Sequence, residues 1–267
     1  MLLILIIIIA LGLSFGSFAN CLVWRLYRQE KISGRSYCPR CLKKLWWHDN
    51  IPLFSYLRLG GRCRFCHQPI SWQYPAVEVI VAGLFVFFWF KHLGFAWVDL
   101  ETLSLFFNFD FWLALIRDYL AVFVLTVVFV FDLRFYLVSN AVVIPAALVF
   151  AGLNLLLGAS WYVLFLGIAG AVAFFGLQFL VTRGRGLGEG DIWLGLLLAS
   201  LFPDWSLLIL AILSAYLLGT IVGLVLIIAG RKEWSSKLPL GVFLAVGALI
   251  TLAWGPALLT AYWSFQL

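Results

Sequence analysis

The chain has 267 residues, of which 64% are hydrophobic and 11% are charged, and its formal net charge is +6. A soluble domain carries about 25% charged residues, so this composition excludes a single soluble core and indicates a polytopic membrane protein. The charge is uneven, because ten of the 18 lysines and arginines lie between Arg25 and Arg64. In a polytopic chain such a basic run favours a cytoplasmic loop, and we expect no nucleic-acid partner.

Segments of about 20 apolar residues, enough to cross a bilayer, recur along the chain. Residues 2–24 are apolar and N-terminal like a signal sequence, but they lack a basic start and exceed a signal core of about 7–15 residues, so we expect a retained first span. A polar, basic domain follows at 25–71. The other predicted spans are 72–90, 119–132, 138–157, 161–181, 192–202, 205–229 and 238–261, with a loop at 91–110, and they form a membrane core at 72–267.

Two of these spans have unusual ends. The third is predicted to begin at Tyr119, because Arg117 and Asp118 interrupt the apolar run before it. The segment 192–202 is too short to cross a bilayer unless Asp191 and the glycines before it also lie at membrane depth. Irregular backbone is tolerated there only when protein or a water-filled cavity surrounds it, so this segment points to a functional site.

Eight spans would place both chain ends on one side of the membrane. With the domain at 25–71 in the cytoplasm, 16 of the 18 lysines and arginines fall on cytoplasmic segments, as the positive-inside rule requires. The predicted fold class is therefore an all-α polytopic membrane protein with about eight transmembrane helices. A small cytoplasmic zinc-ribbon-like domain lies between the first helix and the second, and both termini face outward.

Four cysteines in the cytoplasmic domain have the spacing of a metal site. Cys38 and Cys41 form one Cys-x-x-Cys pair, Cys63 and Cys66 form a second, and 21 residues separate the pairs. Four thiolates suit tetrahedral zinc and leave no open position for chemistry, so we expect a structural zinc that supplies much of this domain's folding free energy. The alternative is two redox or disulfide pairs, which a cytoplasmic location disfavours.

Other polar residues near these segments have simpler interpretations. His48 and His67 are alternative metal ligands, although four cysteines suffice and both are expected at the surface. Cys21, in the first span, is expected to pack as a small apolar residue. For Glu78, in the second span, a structural role such as capping the helix is favoured over chemistry.

Two aspartates occupy positions that membrane proteins rarely tolerate. Asp132 closes the third span and Asp191 opens the short segment, so both are predicted at cytoplasmic ends of spans. A carboxylate there is costly to desolvate and is a functional candidate. Two carboxyls in one site share a proton, so the ionised one can activate water while the neutral one polarises a carbonyl. Gly188, Glu189 and Gly190 are expected to let a substrate backbone approach closely. The pattern predicts a membrane aspartyl protease.

Each of these residues has an alternative interpretation. Asp132 can be an interfacial acid paired with Arg134 or Arg183, whereas no cation follows Asp191 within a helical turn. The glycines can serve close helix packing instead of a substrate.

Short motifs also occur in a fixed order along nearly the whole chain. They are GSFAN at 16–20 with RL at 25–26, CPRC at 38–41, DNIP at 49–52, GRCRFC at 61–66, PIS at 69–71, YPAVE at 74–78, DLR at 132–134, GEGD at 188–191 and LPLG at 238–241. In this set and order the chain closely resembles the bacterial type IV prepilin leader peptidases. A lone Gly-x-Gly-Asp motif is weak, but the ordered set is specific.

The resemblance implies a fold, a reaction and a location. Asp132 and Asp191 would be the catalytic pair of an endopeptidase in the bacterial inner membrane. It would remove the short basic leader of type IV prepilins, and of type II secretion pseudopilins, after a glycine at the cytoplasmic face. Relatives with the cysteine domain usually also methylate the new N-terminal residue with S-adenosylmethionine. Glu189 is a candidate contact for the basic leader.

Three positions depart from the family pattern. Trp193 stands where the family usually has lysine, Ser139 where it often has proline, and Val242 where it commonly has proline. None of these changes removes a catalytic group, but they leave substrate choice and methylation open.

Two other functions fit part of the pattern. A presenilin-like intramembrane aspartyl protease also uses Gly-x-Gly-Asp but would cut within a helix, and the four-cysteine domain argues against it. A transporter whose intramembrane acids carry protons would suit the paired acids but not the ordered motifs. The N-terminus of the cleaved product separates the two proteases, and gradient-dependent flux without proteolysis would identify a transporter.

Overall fold

The computed structural model describes residues 2–95, 106–184, 186–231, 233 and 238–264. Every regular element in these ranges is a helix, which confirms the predicted all-α class. The chain divides into two compact units, Met1–Phe107 and Asn108–Leu267. Part of the predicted loop at 91–110, residues 96–105, lies outside the described residues.

The first unit has two long helices with an irregular domain between them in the chain. Its elements are α1 (Leu2–Tyr27), a 3-10 turn (Trp47–Asn50), α2 (Phe54–Arg58) and α3 (Gln73–His92). α1 packs along α3, and a Cβ at Gly12 or Gly16 would lie 2.6 Å from the Cα of Ala82 or Glu78. Such small residues let two apolar helices approach closely in lipid, where no hydrophobic force drives them together.

The second unit is a bundle built around one short helix. Its elements are α4 (Phe109–Phe135), α5 (Asn140–Leu156), α6 (Trp161–Thr182), α7 (Glu189–Leu201), α8 (Trp205–Ile228) and α9 (Leu240–Ser264). The short α7 contacts α5, α6, α8 and α9, and α9 also packs against α4 and α8. The second half of α7 is almost entirely buried. A helix of only 13 residues therefore forms the centre of this unit.

The helix that contains the third predicted span begins ten residues before Tyr119. α4 begins at Phe109, where the Asn108 side chain accepts a hydrogen bond from the Asp110 N–H at 2.9 Å and caps the helix. The helix continues through Arg117 and Asp118, which pair with each other, with 2.8 Å between Nη2 and Oδ1. The pair neutralises both charges within the helix, and the start of the span at Tyr119 stays a prediction.

Six of the described helices are long and apolar enough to cross a membrane: α1, α3, α4, α6, α8 and α9. The two remaining predicted spans correspond to α5, with 17 residues, and α7, with 13. Both are shorter than the roughly 20 residues of an ordinary span. The count of eight spans therefore remains a prediction.

Candidate active site and metal centre

Asp132 lies in the last turn of α4, which ends at Tyr136 in a left-handed conformation with φ 54°. Its Oδ2 accepts a hydrogen bond of 3.0 Å from the Val242 N–H in the first turn of α9. The first N–H groups of a helix have no partner within the helix, and its dipole favours negative charge at that end. Asp132 is only 5% exposed, so a buried carboxylate accepts a hydrogen bond from the N-terminus of α9.

The contact between α4 and α9 depends on Gly241. A Cβ there would lie 2.8 Å from Asp132 Oδ2 and 3.1 Å from Leu194 Cδ1. No side chain fits into this space without moving the carboxylate or the leucine. The late LPLG motif therefore serves the acidic site, a role that the sequence analysis did not assign to it.

Asp191 lies in the first turn of α7. Its Oδ2 accepts a hydrogen bond of 2.9 Å from the backbone N–H of Gly188, the residue that caps the helix. The helix dipole acts on this carboxyl as it does on Asp132, since both lie at helix N-termini. Both candidate acids are therefore held by backbone donors.

The structure brings the two aspartates into one site. Residues near them in sequence are in contact, since a Cβ at Gly190 would lie 2.7 Å from the Val138 Cβ. Leu194, one turn after Asp191, contacts the position of Gly241 beside Asp132. Arg134 and Arg183, the alternative partners of Asp132, form no ion pair with it in the described part of the chain. Residues far apart in sequence thus meet where α4, α7 and α9 converge.

The residues before Asp191 take different positions. Glu189 is exposed at the start of α7, and Gly188 caps that helix in an extended conformation. A Cβ at Gly190 would lie 2.7 Å from the Val138 Cβ. Gly190 therefore serves close packing between the segment that follows Asp132 and the segment that precedes Asp191.

Sequence reasoning missed a polar pair beside Asp191. Tyr216 on α8 donates a hydrogen bond of 2.9 Å to Oε1 of Gln178 on α6, and it lies within electrostatic range of Asp191. Gln178 Nε2 is buried and has no partner among the described residues. The available signal was a glutamine inside an otherwise apolar helix, which is costly to bury without a partner.

The four cysteines form one cluster, as predicted. Their Sγ atoms all lie within 4.8 Å of one another, and Cys38 and Cys66 are 3.9 Å apart. A tetrahedral zinc with Zn–S bonds of about 2.3 Å separates its sulfurs by about 3.8 Å, so the cluster fits this ion. His48 and His67 are not part of the cluster.

The two knuckles have the same backbone design. The N–H of Cys38 donates to the Lys43 carbonyl, and the N–H of Cys63 donates to the Gln68 carbonyl. Each knuckle also bends through a left-handed residue directly after its second cysteine, Leu42 with φ 58° and His67 with φ 55°. Two similar hairpins thus each supply two thiols to the cluster.

The two thiols of the second knuckle differ in their electrostatics. Burial opposes ionisation of the Cys63 thiol, but the backbone N–H groups of Cys66 and Phe65 stabilise the thiolate and lower its pKa to about 7. At Cys66 the backbone hydrogen bond from Gln68 favours the thiolate, but burial and hydrogen bonds with the other three cysteines outweigh it and raise the pKa to about 11. The thiolate is the form that binds metal, so Cys63 is the thiol of this knuckle that ionises first.

An ion pair fixes the chain between the knuckles. Arg64 Nη2 lies 2.6 Å from Asp49 Oδ1, and Arg64 Nε donates to both carboxylate oxygens. These hydrogen bonds lower the pKa of Asp49 below its usual value. The Asp49 side chain is 2% exposed, so the pair ties the 3-10 turn to the second cysteine knuckle.

The fold and the site together define a helical multi-pass membrane protein with two acids in its bundle and a cluster of four cysteines that could hold a metal in its small domain. Two family models match the chain. One, described as the bacterial peptidase A24 N-terminal domain, matches residues 10–92, and the other, described as the type IV leader peptidase family, matches residues 119–224. The four clustered cysteines lie within the first match, and Asp132 and Asp191 both lie within the second.

Curated relatives agree with the family models, and all three described here carry the name prepilin leader peptidase/N-methyltransferase. One from Pseudomonas aeruginosa is 31% identical over 96% of this chain and 92% of its own length. One from Myxococcus xanthus is 30% identical over 84% and 63%, and one from Bacillus subtilis is 28% identical over 96% and 96%. No solved structure matches. The chain belongs to the type IV leader peptidase family, which confirms the predicted resemblance.

Proposed function

We propose that Asp132 and Asp191 are the catalytic pair of an aspartyl endopeptidase of the bacterial inner membrane. The enzyme removes the basic leader of type IV prepilins and pseudopilins after a glycine, at the cytoplasmic membrane edge. The same chain then methylates the new N-terminal residue with S-adenosylmethionine. The domain at 25–71 binds zinc, and the membrane core at 72–267 carries the peptidase site.

One observation carries the peptidase assignment. Two acids lie where the end of α4, the start of α7 and the start of α9 meet, and each accepts a hydrogen bond from a backbone N–H group at a helix N-terminus. Two carboxyls in one desolvated site hold one proton between them, because ionising both is costly. An ion-pair network would instead bring a cation to each acid.

The pair performs hydrolysis with a balanced exchange of protons. The ionised carboxyl takes a proton from water, and the resulting hydroxide attacks the scissile carbonyl carbon. The neutral carboxyl gives its proton to the carbonyl oxygen as the tetrahedral intermediate forms. When the carbon–nitrogen bond breaks, the leaving amine takes a proton from one carboxyl, and the intermediate returns its hydroxyl proton to the other. The pair ends with one proton, as it began.

The metal and the methyl donor have separate tasks. Cys38, Cys41, Cys63 and Cys66 would hold zinc with every coordination position filled, so the ion supports the fold and leaves the peptide bond to the aspartates. The methyl donor supplies an electrophilic methyl group for the amine that cleavage releases. Glu189, exposed beside Asp191, favours a basic leader at this edge by charge.

The test is mass spectrometry of a prepilin co-expressed with the enzyme, which reports both the cleavage point and the added methyl group. Asp132→Asn and Asp191→Asn should each abolish cleavage, because neither variant can share a proton between two carboxyls. Asp204→Asn is the matched control. Asp204 caps α8 through the Ser206 N–H at 2.7 Å, and asparagine caps a helix equally well.

The outcome is decisive only if the variants fold. Membrane insertion and metal content should equal those of the wild type in all three variants. Normal processing by both aspartate variants would reject the mechanism. A product cut within its apolar helix would instead identify a presenilin-like protease.

A further inference from the structure

An open cavity of about 370 Å³ lies in the cysteine domain, apart from the four thiols. Its lining includes Arg35, Ser36, Trp46, Trp47, His48 and Asn50. The two indoles are large apolar groups that remain 55% and 81% exposed. Exposed aromatic surface of this kind marks a binding site or a membrane contact.

One wall of the cavity is held by a buried charge. Arg25, at the end of α1, is only 6% exposed. Its guanidinium donates to the carbonyls of Ile32, Gly34 and Arg35, the last two at 2.8 and 3.2 Å. These hydrogen bonds fix the backbone that carries Arg35 and Ser36 into the lining.

The facing wall is fixed as well. Asn50 donates to the Ser36 hydroxyl at 3.3 Å, which joins the two walls. The Arg64 guanidinium lies 5.5 Å over the Trp46 ring and holds that indole. The His48 ring stands edge-on to both indoles, at 5.2 and 5.5 Å. The cavity is therefore shaped by several independent contacts and does not depend on one mobile side chain.

The lining chemistry selects a particular kind of ligand. Indole faces stack on a heteroaromatic base and attract a cation. The Arg35 guanidinium pairs with a carboxylate, and the amide and hydroxyl of Asn50 and Ser36 suit ribose hydroxyls. The volume lies in the range of small-molecule sites, about 300–1,000 Å³. S-Adenosylmethionine combines a base, a ribose, a sulfonium cation and a carboxylate.

We propose that this cavity of the cysteine domain is the binding site of the methyl donor, with the indole of Trp47 and the amide of Asn50 as principal contacts. The inference rests on the proposed methylation. In that reaction the neutral terminal amine forms a nitrogen–carbon bond to the methyl group. The sulfur–carbon bond breaks with its electrons on sulfur, which becomes a neutral thioether, and the amine proton passes to water.

The experiment measures binding of radiolabelled S-adenosylmethionine to the purified full-length protein, with S-adenosylhomocysteine as competitor. Trp47→Ala and Asn50→Ala should each weaken binding by about two- to tenfold, the loss of one cation–π or polar contact at an exposed site. Trp72→Ala is the matched control, because Trp72 is also exposed, at 76%, but does not line the cavity. Metal content and thermal unfolding show that each variant is folded.

The possible results distinguish the cavity assignment from the proposed methylation on which it rests. Wild-type affinity in both folded variants would overturn the cavity assignment and leave the methylation standing. A wild-type protein that cuts the leader but neither binds the donor nor methylates would overturn both. If Trp47→Ala weakens binding to anionic lipid vesicles and leaves donor affinity unchanged, the tryptophans are membrane contacts and the proposal is wrong.

Discussion

Among the described residues, backbone N–H groups and no cations contact the carboxyl groups of the two candidate catalytic acids, and this matters for their chemistry. A neighbouring guanidinium would stabilise the ionised form so strongly that neither carboxyl could remain protonated near neutral pH. A single N–H at a helix N-terminus stabilises charge more weakly. For Asp132 this donor is the N–H of Val242. Proline, which the family resemblance would place at this position, lacks a backbone donor.

Replacing Val242 tests that hydrogen bond. Proline is tolerated in the first turn of a helix, so Val242→Pro should fold while removing the donor to Asp132. We expect the rising limb of the pH–rate profile for leader cleavage to move to higher pH, because the ionised pair loses a stabilising partner. Val242→Ala keeps the N–H and should keep the wild-type profile. Identical profiles for the two variants would show that this hydrogen bond does not influence the reaction.

The Asp49–Arg64 pair predicts how the cysteine domain responds to acid. The Arg64 hydrogen bonds lower the pKa of folded Asp49, so the folded state keeps the carboxylate ionised at a pH where the unfolded chain protonates it. The stabilisation is thus fully present above the unfolded pKa of about 3.9 and is lost as pH falls through the folded value. Asp49→Asn should destabilise the domain by about 1–3 kcal/mol at neutral pH.

The measurement is the rate of metal release to a chelator, for the wild type and Asp49→Asn, from pH 7 to pH 3. The difference between the two proteins should be constant down to about pH 5 and shrink below about pH 4. Acid also protonates the thiols, but it does so in both proteins, so the difference isolates Asp49. A difference that grows as the pH falls would contradict the assignment.

Tertiary contacts at both ends of the short helix α7 fix the position of Asp191. At its start, Gly190 packs against Val138. At its end, the Asn154 amide donates to the carbonyls of Ser200 and Leu201 at 2.8 and 3.1 Å. The last carbonyls of a helix lack partners within it, so Asn154 satisfies groups that would otherwise be buried without hydrogen bonds.

Asn154 also contacts α4, the helix that carries Asp132. Asn154 Oδ1 accepts a hydrogen bond of 3.1 Å from Arg117, which pairs with Asp118 on α4. Asn154 and Asp118 are 2% and 1% exposed. Breaking one member of such a buried network is strongly destabilising, because the remaining polar groups lose their partners. The network therefore joins α4, which carries Asp132, to α7, which carries Asp191.

Substitution of Asn154 should affect both stability and cleavage. Asn154→Leu leaves Arg117 and two α7 carbonyls without this partner, which should cost about 2–4 kcal/mol of stability and shift α7 against α4. Asn154→Asp keeps an acceptor for Arg117 but removes the donor to α7, so it separates the two contacts. We expect both variants to lower kcat for leader cleavage with little change in KM. An unchanged kcat in folded Asn154→Asp would show that the α7 contact does not position Asp191.

The sequence predicted the parts of the site that have local signatures. The four cysteines between Cys38 and Cys66 have the spacing of metal ligands, and Asp132 and Asp191 are acids beside apolar segments. Both patterns can be recognised from the sequence without knowledge of the fold. Gly241 was visible only as part of a motif, because its role depends on a carboxylate 109 positions earlier in the chain. The helix that passes through Arg117 and Asp118 was not predicted, and the contact of Arg117 with Asn154 is a tertiary feature that the sequence does not show. The Tyr216–Gln178 pair was missed for the same reason.

The bundle geometry bears on the number of membrane crossings. The end of α4, the start of α7 and the start of α9 meet at the acidic pair, so all three lie on one side of the membrane. If α6 crosses, α5 must cross as well to return the chain to that side, although its 17 residues span only about 25 Å. If α8 crosses, α7 must likewise connect the acidic pair to the opposite side. Two short helices are thus required to act as spans, which favours eight crossings over six.

Insertion of a fluorescent protein that matures only in the cytoplasm tests this topology. We expect fluorescence after insertion at Arg183, between α6 and α7, and none after insertion at Gly158 or Pro203. The expectation follows from the positive-inside rule, which predicts a cytoplasmic side for Arg183 and Arg185, and from the proposed cytoplasmic peptidase site. Fluorescence at Pro203 as well as Arg183 would show that α7 does not connect the two sides. Fluorescence after insertion at Leu137, which follows Asp132, with none at Arg183 would place Asp132 and Asp191 on opposite sides, and no shared proton or water could then join them.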